Sequence, residues 1–338
     1  MRLQQLPPPR RPAIATWAES FDPGVPADVV KHEQLPDPES TEFPRRHLFN
    51  PKDGWFRRTE RAINKFLSRR VFPHVPLIRR PYAAILDRSL TVAEATVPLQ
   101  GMGGVDSVRV LVISDIHAGP FVESATMERT FERLLTLHPD LILLPGDFAT
   151  VSVEEVQEVV PSLRCLQAPL GVYGVLGNHD YYTNDTQRLC GILEDAGIEL
   201  LQNRSVTIET GDARFLLGGV DDLLGGRPNF QQALDGHRQG MPTVVMSHNP
   251  DVFPEAARHR VSLLVAGHTH GGQVRIPGLS VLVRMSRYRL DEGRFVVDES
   301  ELIVSRGLGV TGLPIRVACP PEALLLTLVP AQVTPADA

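Results

Sequence analysis

The chain has 338 residues, enough for one large domain or for a domain of ~200–250 residues with an extension. Its longest apolar runs, such as Ala323–Leu326, fall far short of the ~20 residues of a membrane-spanning helix, and no apolar signal-peptide core follows Met1. Three cysteines (Cys165, Cys190, Cys319) without CxxC spacing exclude a disulfide scaffold and favour a reducing compartment, and a net charge of −6 argues against a dedicated nucleic-acid binder.

In chain order, residues 1–50 read as a proline-rich flexible leader without apolar periodicity. Residues 51–81 form a second part. Within 52–80, nine Lys/Arg stand against Asp53 and Glu60, so this stretch carries 9 − 2 = +7 and the rest of the chain about −13. Trp55, Phe56, Ala62, Ile63, Phe66, Leu67 and Val71 fall at helical spacing, which predicts a basic amphipathic helix. Two readings fit such a helix: it lies on an anionic membrane surface, or it packs on the main domain with its arginines in water.

From residue 82 to 330 the pattern becomes regular, with a short tail over 331–338. Short apolar runs at Val108–Ile113, Leu141–Leu144, Val172–Leu176, Phe215–Leu217, Thr243–Met246 and Leu263–Ala266 predict buried strands. Helices are predicted around Met127–Leu135, over Val153–Leu166 and over Thr186–Ala196. Strands alternating with helices indicate an α/β layered domain. After Gly267 the strands follow one another without long helices, which predicts a second, more antiparallel sheet ending in Leu302–Val304 and Ala323–Val329.

Five polar clusters each follow an apolar run: Asp115-Ile116-His117, Gly146-Asp147, Gly177-Asn178-His179-Asp180, Ser247-His248-Asn249 and Gly267-His268-Thr269-His270. Ligands bind at the carboxyl ends of strands in α/β sheets. Asp115, Asp147, Asn178, His117, His248, His268 and His270 form an oxygen and nitrogen donor set without thiolate. Such a set suits Mn, Fe, Zn, Co or Ni. Seven ligands exceed what one ion needs while it holds a substrate, but two ions sharing a bridging carboxylate use them all. Two ions ~3.5–4 Å apart can clamp the oxygens of an in-line phosphoryl displacement.

The ordered series DxH, GD, GNHD, H and GHTH resembles the calcineurin-like metallophosphoesterase superfamily over about three quarters of the chain. The run GHTHGGQ, with Gly219-Val220-Asp221-Asp222 and Ser305-Arg306-Gly307-Leu308-Gly309, is similar to a bacterial branch of membrane-associated phosphodiesterases and UDP-diacylglucosamine hydrolases. The resemblance implies a four-layer α-β-β-α sandwich of two mixed sheets flanked by helices. It implies two divalent ions, with Asp115, His117 and His270 on the first, Asn178, His248 and His268 on the second, and Asp147 between them. His179 becomes the general acid or stabilises transition-state charge, while a metal-activated hydroxide cleaves a phosphodiester or pyrophosphate. Asp180 reads as an orienting partner of His179 or His117, or as a turn residue. Asp222 reads as a substrate-loop residue or a turn, and Arg306 as a fork for phosphate.

The expected substrate is a small-molecule or lipid-linked phosphoester, and the expected location is cytoplasmic, with peripheral contact with the inner face of the membrane where the basic helix lies on it rather than on the domain. Three other readings stay open: a phosphomonoesterase or protein Ser/Thr phosphatase, a nuclease, and a metal-binding regulator without catalysis. The acidic balance outside 52–80 argues against nucleic acid, and the retained His179 and ligand set against the regulator.

Overall fold

Period-2 alternation along the apolar strands sorts their side chains into different cores, and this sorting builds the layers. In a computed structural model of the chain, the structure describes residues 13–16, 66, 76–104, 107–275, 284–312 and 314–331. Most of the predicted leader and basic segment lies outside the described residues. Of the leader, Ala13–Thr16 is described as strand β1, parallel to β2 (Thr91–Leu99). Helix α1 (Pro76–Ser89) runs across the boundary drawn between 81 and 82.

The first sheet has seven strands in the order β1-β2-β13-β3-β4-β5-β6. These include β3 (Val108–Val112), β4 (Leu141–Pro145), β5 (Val172–Val175), β6 (Glu199–Leu200) and β13 (Glu322–Pro330). All its pairings are parallel except β13 with β3. The second sheet has six strands in the order β11-β12-β10-β9-β8-β7. They are β7 (Arg204–Thr210), β8 (Ala213–Gly219), β9 (Thr243–Met246), β10 (Leu263–Ala266), β11 (Gly293–Val297) and β12 (Ser300–Val304). Only its outer pairs, β7 with β8 and β11 with β12, are antiparallel.

Val110, Val112, Leu141 and Leu143 of the first sheet pack with Val244, Met246, Leu263 and Val265 of the second, forming the core between the sheets. Their strand neighbours Leu111, Ile142 and Leu144 face the other way. There they meet Tyr82 and Leu86 of α1, Met127 and Phe131 of α2 (Ser124–Leu135), Val156 and Val159 of α3 (Val153–Leu163), and Leu189 and Leu193 of α5 (Thr186–Asp195). Between α3 and α5, the short helix α4 (Asn178–Tyr182) follows β5. On the outer face of the second sheet, Val245, Leu264 and Leu302 cover Phe230 of α6 (Phe230–Ala233) and Phe253 of α7 (Phe253–Arg258). The result is an α/β fold of two mixed sheets flanked by helices.

Two expectations are corrected. The second sheet begins at Arg204, before Gly267, and its centre is parallel. The last strand does not belong to it: β13 inserts between β2 and β3 of the first sheet. Burial explains the placement. Leu324, Leu326 and Leu328 face the core between the sheets, while Ala323 and Leu325 face the helices, so β13 is apolar on both faces and takes an interior position.

Candidate metal centre

Five strand ends deliver the site: β3, β4 and β5 from the first sheet, β9 and β10 from the second. Main-chain bonds lock the loops to one another. The Asp115 N–H donates to the Gly146 carbonyl (3.0 Å) and the His117 N–H to the Asp147 carbonyl (2.9 Å). Across the sheets, the His268 N–H reaches Asp115 Oδ1 (3.0 Å), and within the first sheet the His179 N–H reaches Asp147 Oδ1 (2.8 Å). Asp115, His117, Asp147, His268 and His270 all have φ between +47° and +74°, a left-handed conformation that costs non-glycine residues about 1–3 kcal/mol each. Such strain persists only where the surroundings hold it, and here it falls on five of the seven expected ligands. The loops also approach too closely for side chains. A Cβ at Gly177 would collide with Asp147 Oδ1, and one at Gly267 with Asp115 Oδ2.

Two donor sets meet at Asp147. In the first, His117 Nε2 lies 3.0 Å from His270 Nε2, which lies 3.5 Å from Asp115 Oδ1. In the second, His248 Nε2 lies 3.2 Å from Asn178 Oδ1 and 3.1 Å from His268 Nδ1. Asp147 Oδ2 stands between them, 3.4 Å from His117 Nε2 and 3.2 Å from His248 Nε2. All seven residues are buried.

Tautomer logic tests whether these residues fit a metal. His248 Nδ1 is 2.8 Å from the Pro145 carbonyl, so Nδ1 carries a proton and donates it. In the neutral ring Nε2 is then a lone pair aimed at two oxygens. Lone pairs so arranged repel unless a cation or a proton stands among them. The donors are nitrogen and oxygen without sulfur, which fits two divalent transition ions. Three overlapping groups have ligand atoms mutually within 4.8 Å: Asp115, His117, His270; His117, Asp147, His179; and Asp115, Asp147, His248. These residues are positioned to hold a metal centre.

Without a metal, burial sets the titration and the neighbours then pull it in opposite directions. Burial pushes Asp115 up to about 6, and Asp147 adds to that push. Burial holds His117 down at about 3, although Asp147 opposes it. Burial, with His117 and the Arg316 cation beside it, holds His270 well below the usual histidine range. At His248 burial also lowers, but Asp147, Asp115 and Asp222 outweigh it and raise the ring to about 10. The charges of His248, His179 and His117 overcome burial at Asp147 and hold it well below the usual carboxylate range.

The other expected residues are placed as follows. His179 Nδ1 lies 2.7 Å from the Thr150 carbonyl, and its ring meets His117 edge-on at 4.7 Å. Asp180 accepts the N–H groups of Ala149 and Gly177, both at 2.9 Å. It therefore ties the Asp147 loop to the Asn178 turn through the backbone, rather than orienting either imidazole. Asp222 Oδ2 accepts from Leu224 (2.7 Å) and Gly225 (2.5 Å), a turn role, while its buried Oδ1 has no hydrogen-bond partner among the described residues. Arg306 is 4% exposed and sits 2.7 Å from Glu322 Oε1. Its fork faces carboxylates, because a buried guanidinium is stable only beside an opposite charge.

Sequence reasoning missed three neighbours of the site: Thr150, Tyr182, whose ring lies 4.8 Å from His179, and Arg316, whose Nη2 lies 3.3 Å from His270 Nδ1. Arg316 stands between Ile315 and Val317, which are exposed. Arg316 itself is half-buried, and nothing in the local sequence signals that it lies against His270.

Comparison with known proteins agrees with the geometry. The Calcineurin-like phosphoesterase family model matches residues 108–272. An uncharacterized metallophosphoesterase of Bacillus subtilis, YkoQ, is 31% identical, covering 66% of this chain and 84% of the relative. A second from that organism, YkuE, is 29% identical over 67% of this chain and 80% of its own length. A Danio rerio transmembrane protein with metallophosphoesterase domain is 29% identical over 70% of this chain, which spans 57% of that relative. The matched segment begins at β3 and ends just past His270, so it contains every donor described above. The chain belongs to the calcineurin-like phosphoesterases and is a metal-dependent phosphoester hydrolase.

Proposed function

We propose that the chain is a dinuclear phosphodiesterase or pyrophosphatase, acting on a small-molecule or lipid-linked phosphoester such as UDP-diacylglucosamine. One observation carries this reading: Asp147 Oδ2 stands 3.4 Å from His117 Nε2 and 3.2 Å from His248 Nε2, between two nitrogen and oxygen donor sets. Asp115, His117 and His270 would hold one ion, Asn178, His248 and His268 the other, and Asp147 would be shared between them. When bound, two such ions supply charge that clamps phosphoryl oxygens and eases deprotonation of the attacking water. The protein supplies the rest. Strained loops fix the donors before the substrate arrives, and burial excludes bulk water from them. His179 moves the proton to the leaving oxygen. Its Nδ1–H is anchored on the Thr150 carbonyl, so the proton that moves is on Nε2.

The lipid-linked choice rests on charge. Residues 52–80 carry +7 on a chain that is otherwise about −13, which suits peripheral contact with an anionic cytoplasmic leaflet and disfavours nucleic acid. No helix among the described residues is long and apolar enough to cross a membrane, whereas the Danio rerio relative is named as a transmembrane protein.

A phosphoesterase panel on metal-reconstituted protein tests the reaction. Hydrolysis of UDP-diacylglucosamine and of bis-p-nitrophenyl phosphate ahead of p-nitrophenyl phosphate is expected. A strong monoester preference would replace this reading with a phosphomonoesterase. Sedimentation with anionic vesicles tests the location: replacing Arg57, Arg58, Arg61, Lys65, Arg69 and Arg70 by Gln abolishes binding at low salt if the segment docks there.

A further inference from the structure

The loop Arg306–Gly309 backs the first donor set. The Leu308 N–H donates to the Ser114 carbonyl (3.0 Å) and the Gly309 N–H to the Asp115 carbonyl (2.6 Å). At Gly307 a Cβ would strike the Asp115 side chain, so this loop touches the Asp115–His117 turn without a gap. His270, the third member of the set, comes from another segment, the turn after β10. Nothing in the local sequence fixes the distance between the two segments.

The His268 N–H bond to Asp115 ties them on the metal-facing side, and one side chain from a third segment ties them from behind. Arg316 Nη2 lies 2.8 Å from the Arg306 carbonyl, 3.0 Å from that of Gly307 and 2.7 Å from that of Gly309, and Nε lies 3.1 Å from the Gly309 carbonyl. The same Nη2 lies 3.3 Å from His270 Nδ1, and Nη1 lies 3.5 Å from the His270 carbonyl. A planar guanidinium with fixed donors can gather several carbonyls at once, which a lysine ammonium on a flexible stem cannot. The short contacts of Arg316 are thus made by Nη2 and Nε, and they go to main-chain carbonyls.

We propose that Arg316 is a positioning residue: it holds the Arg306–Gly309 loop against the His270 turn and so fixes the spacing of Asp115, His117 and His270 for the first ion. This rests on the dinuclear reading above. Among the described residues Arg316 bonds to the His270 turn and to the loop behind Asp115, and its hydrogen bonds reach neither Asn178 nor His248. Its loss should therefore weaken one ion and spare the other.

Cobalt(II) titrated into chelated full-length protein tests this, followed by calorimetry and by the visible absorption of the bound ion. Wild type is expected to take two ions. Arg316→Ala and Arg316→Lys are each expected to keep one ion at wild-type affinity and bind the other about 10- to 100-fold more weakly, with an altered band for that ion alone. Where the alanine variant does not fold, the lysine variant decides. Wild-type affinity and spectrum for both ions in Arg316→Lys overturn the inference, as does equal weakening of both ions. A wild type that takes a single ion overturns the dinuclear reading itself, and with it this assignment.

Discussion

The two donor sets are equally buried, yet without metal they hold protons in opposite ways. His117 stays neutral down to about 3, whereas His248 keeps its proton up to about 10. Burial lowers both. The difference comes from the neighbours: His248 has Asp147, Asp115 and Asp222 within electrostatic reach, whereas the first set packs imidazole against imidazole beside the Arg316 cation. In a chelated protein a proton on His248 can therefore stand in for the missing cation at the second set, whereas burial keeps the imidazoles of His117 and His270 neutral at the first. Burial fixes how costly a charge is, and the sign of the surrounding charges decides whether one is held.

The largest test removes what the sets share. Asp147→Asn keeps the shape and deletes the common charge. Metal analysis should show both ions lost, and turnover should fall to the background of chelated protein. Retention of the second ion at full occupancy would mean that the sets do not share Asp147.

His179→Ala should be nearly as damaging to turnover, about 10²-fold or more, with both ions retained. If the ion count fell with activity, His179 would belong among the ligands.

A gentler test uses protons. Binding at the second set must displace the His248 proton, so calorimetry at neutral pH in buffers of different ionisation enthalpy should show about one proton released. The sign for stability follows from the raised ring. The contribution of His248 in chelated protein is fully present below its ordinary 6.5 and lost as pH rises through about 10. The melting temperature of chelated wild type should therefore fall over that window. Chelated His248→Ala should show a shallower fall, and an equal slope in the two proteins would contradict the contrast.

The smallest effect is expected at Tyr82, whose buried hydroxyl donates to the Leu308 carbonyl and so ties α1 to the loop behind the first set. Tyr82→Phe leaves that carbonyl unsatisfied and should cost about 1–3 kcal/mol in denaturant unfolding, with the ion count unchanged.

Much of this was legible in the chain. The strands that carry donors are short apolar runs bounded by Gly, Asp or Ser, and they occur where expected. Other strands were missed for a physical reason. In β2, Glu94, Thr96 and Pro98 interrupt the apolar run, and in β7 most side chains are partly or fully exposed, because it is an edge strand with one partner. The sheet that receives β13 could not be read either, since that pairing joins residues more than 200 positions apart. The roles of the two arginines show the same limit. Arg306, in a glycine-rich loop, invites reading as an anion fork, yet it lies against Glu322. Arg316, flanked by apolar residues, invites no reading, yet it lies against His270.

By itself the sequence determined which donors are present, in what order, and that each ends a buried strand. Apolar runs, glycines and ligand types are local properties, and their spacing survives in the primary structure. Tertiary structure alone decided how close Asp147 Oδ2 comes to each set, that neighbouring charges raise His248 while burial lowers His117, and that Arg316 spans two loops. Each of these depends on which distant segments the sheet pairing brings within a few ångströms, and over such distances charge and hydrogen-bond geometry change sharply while local spacing carries no record of them.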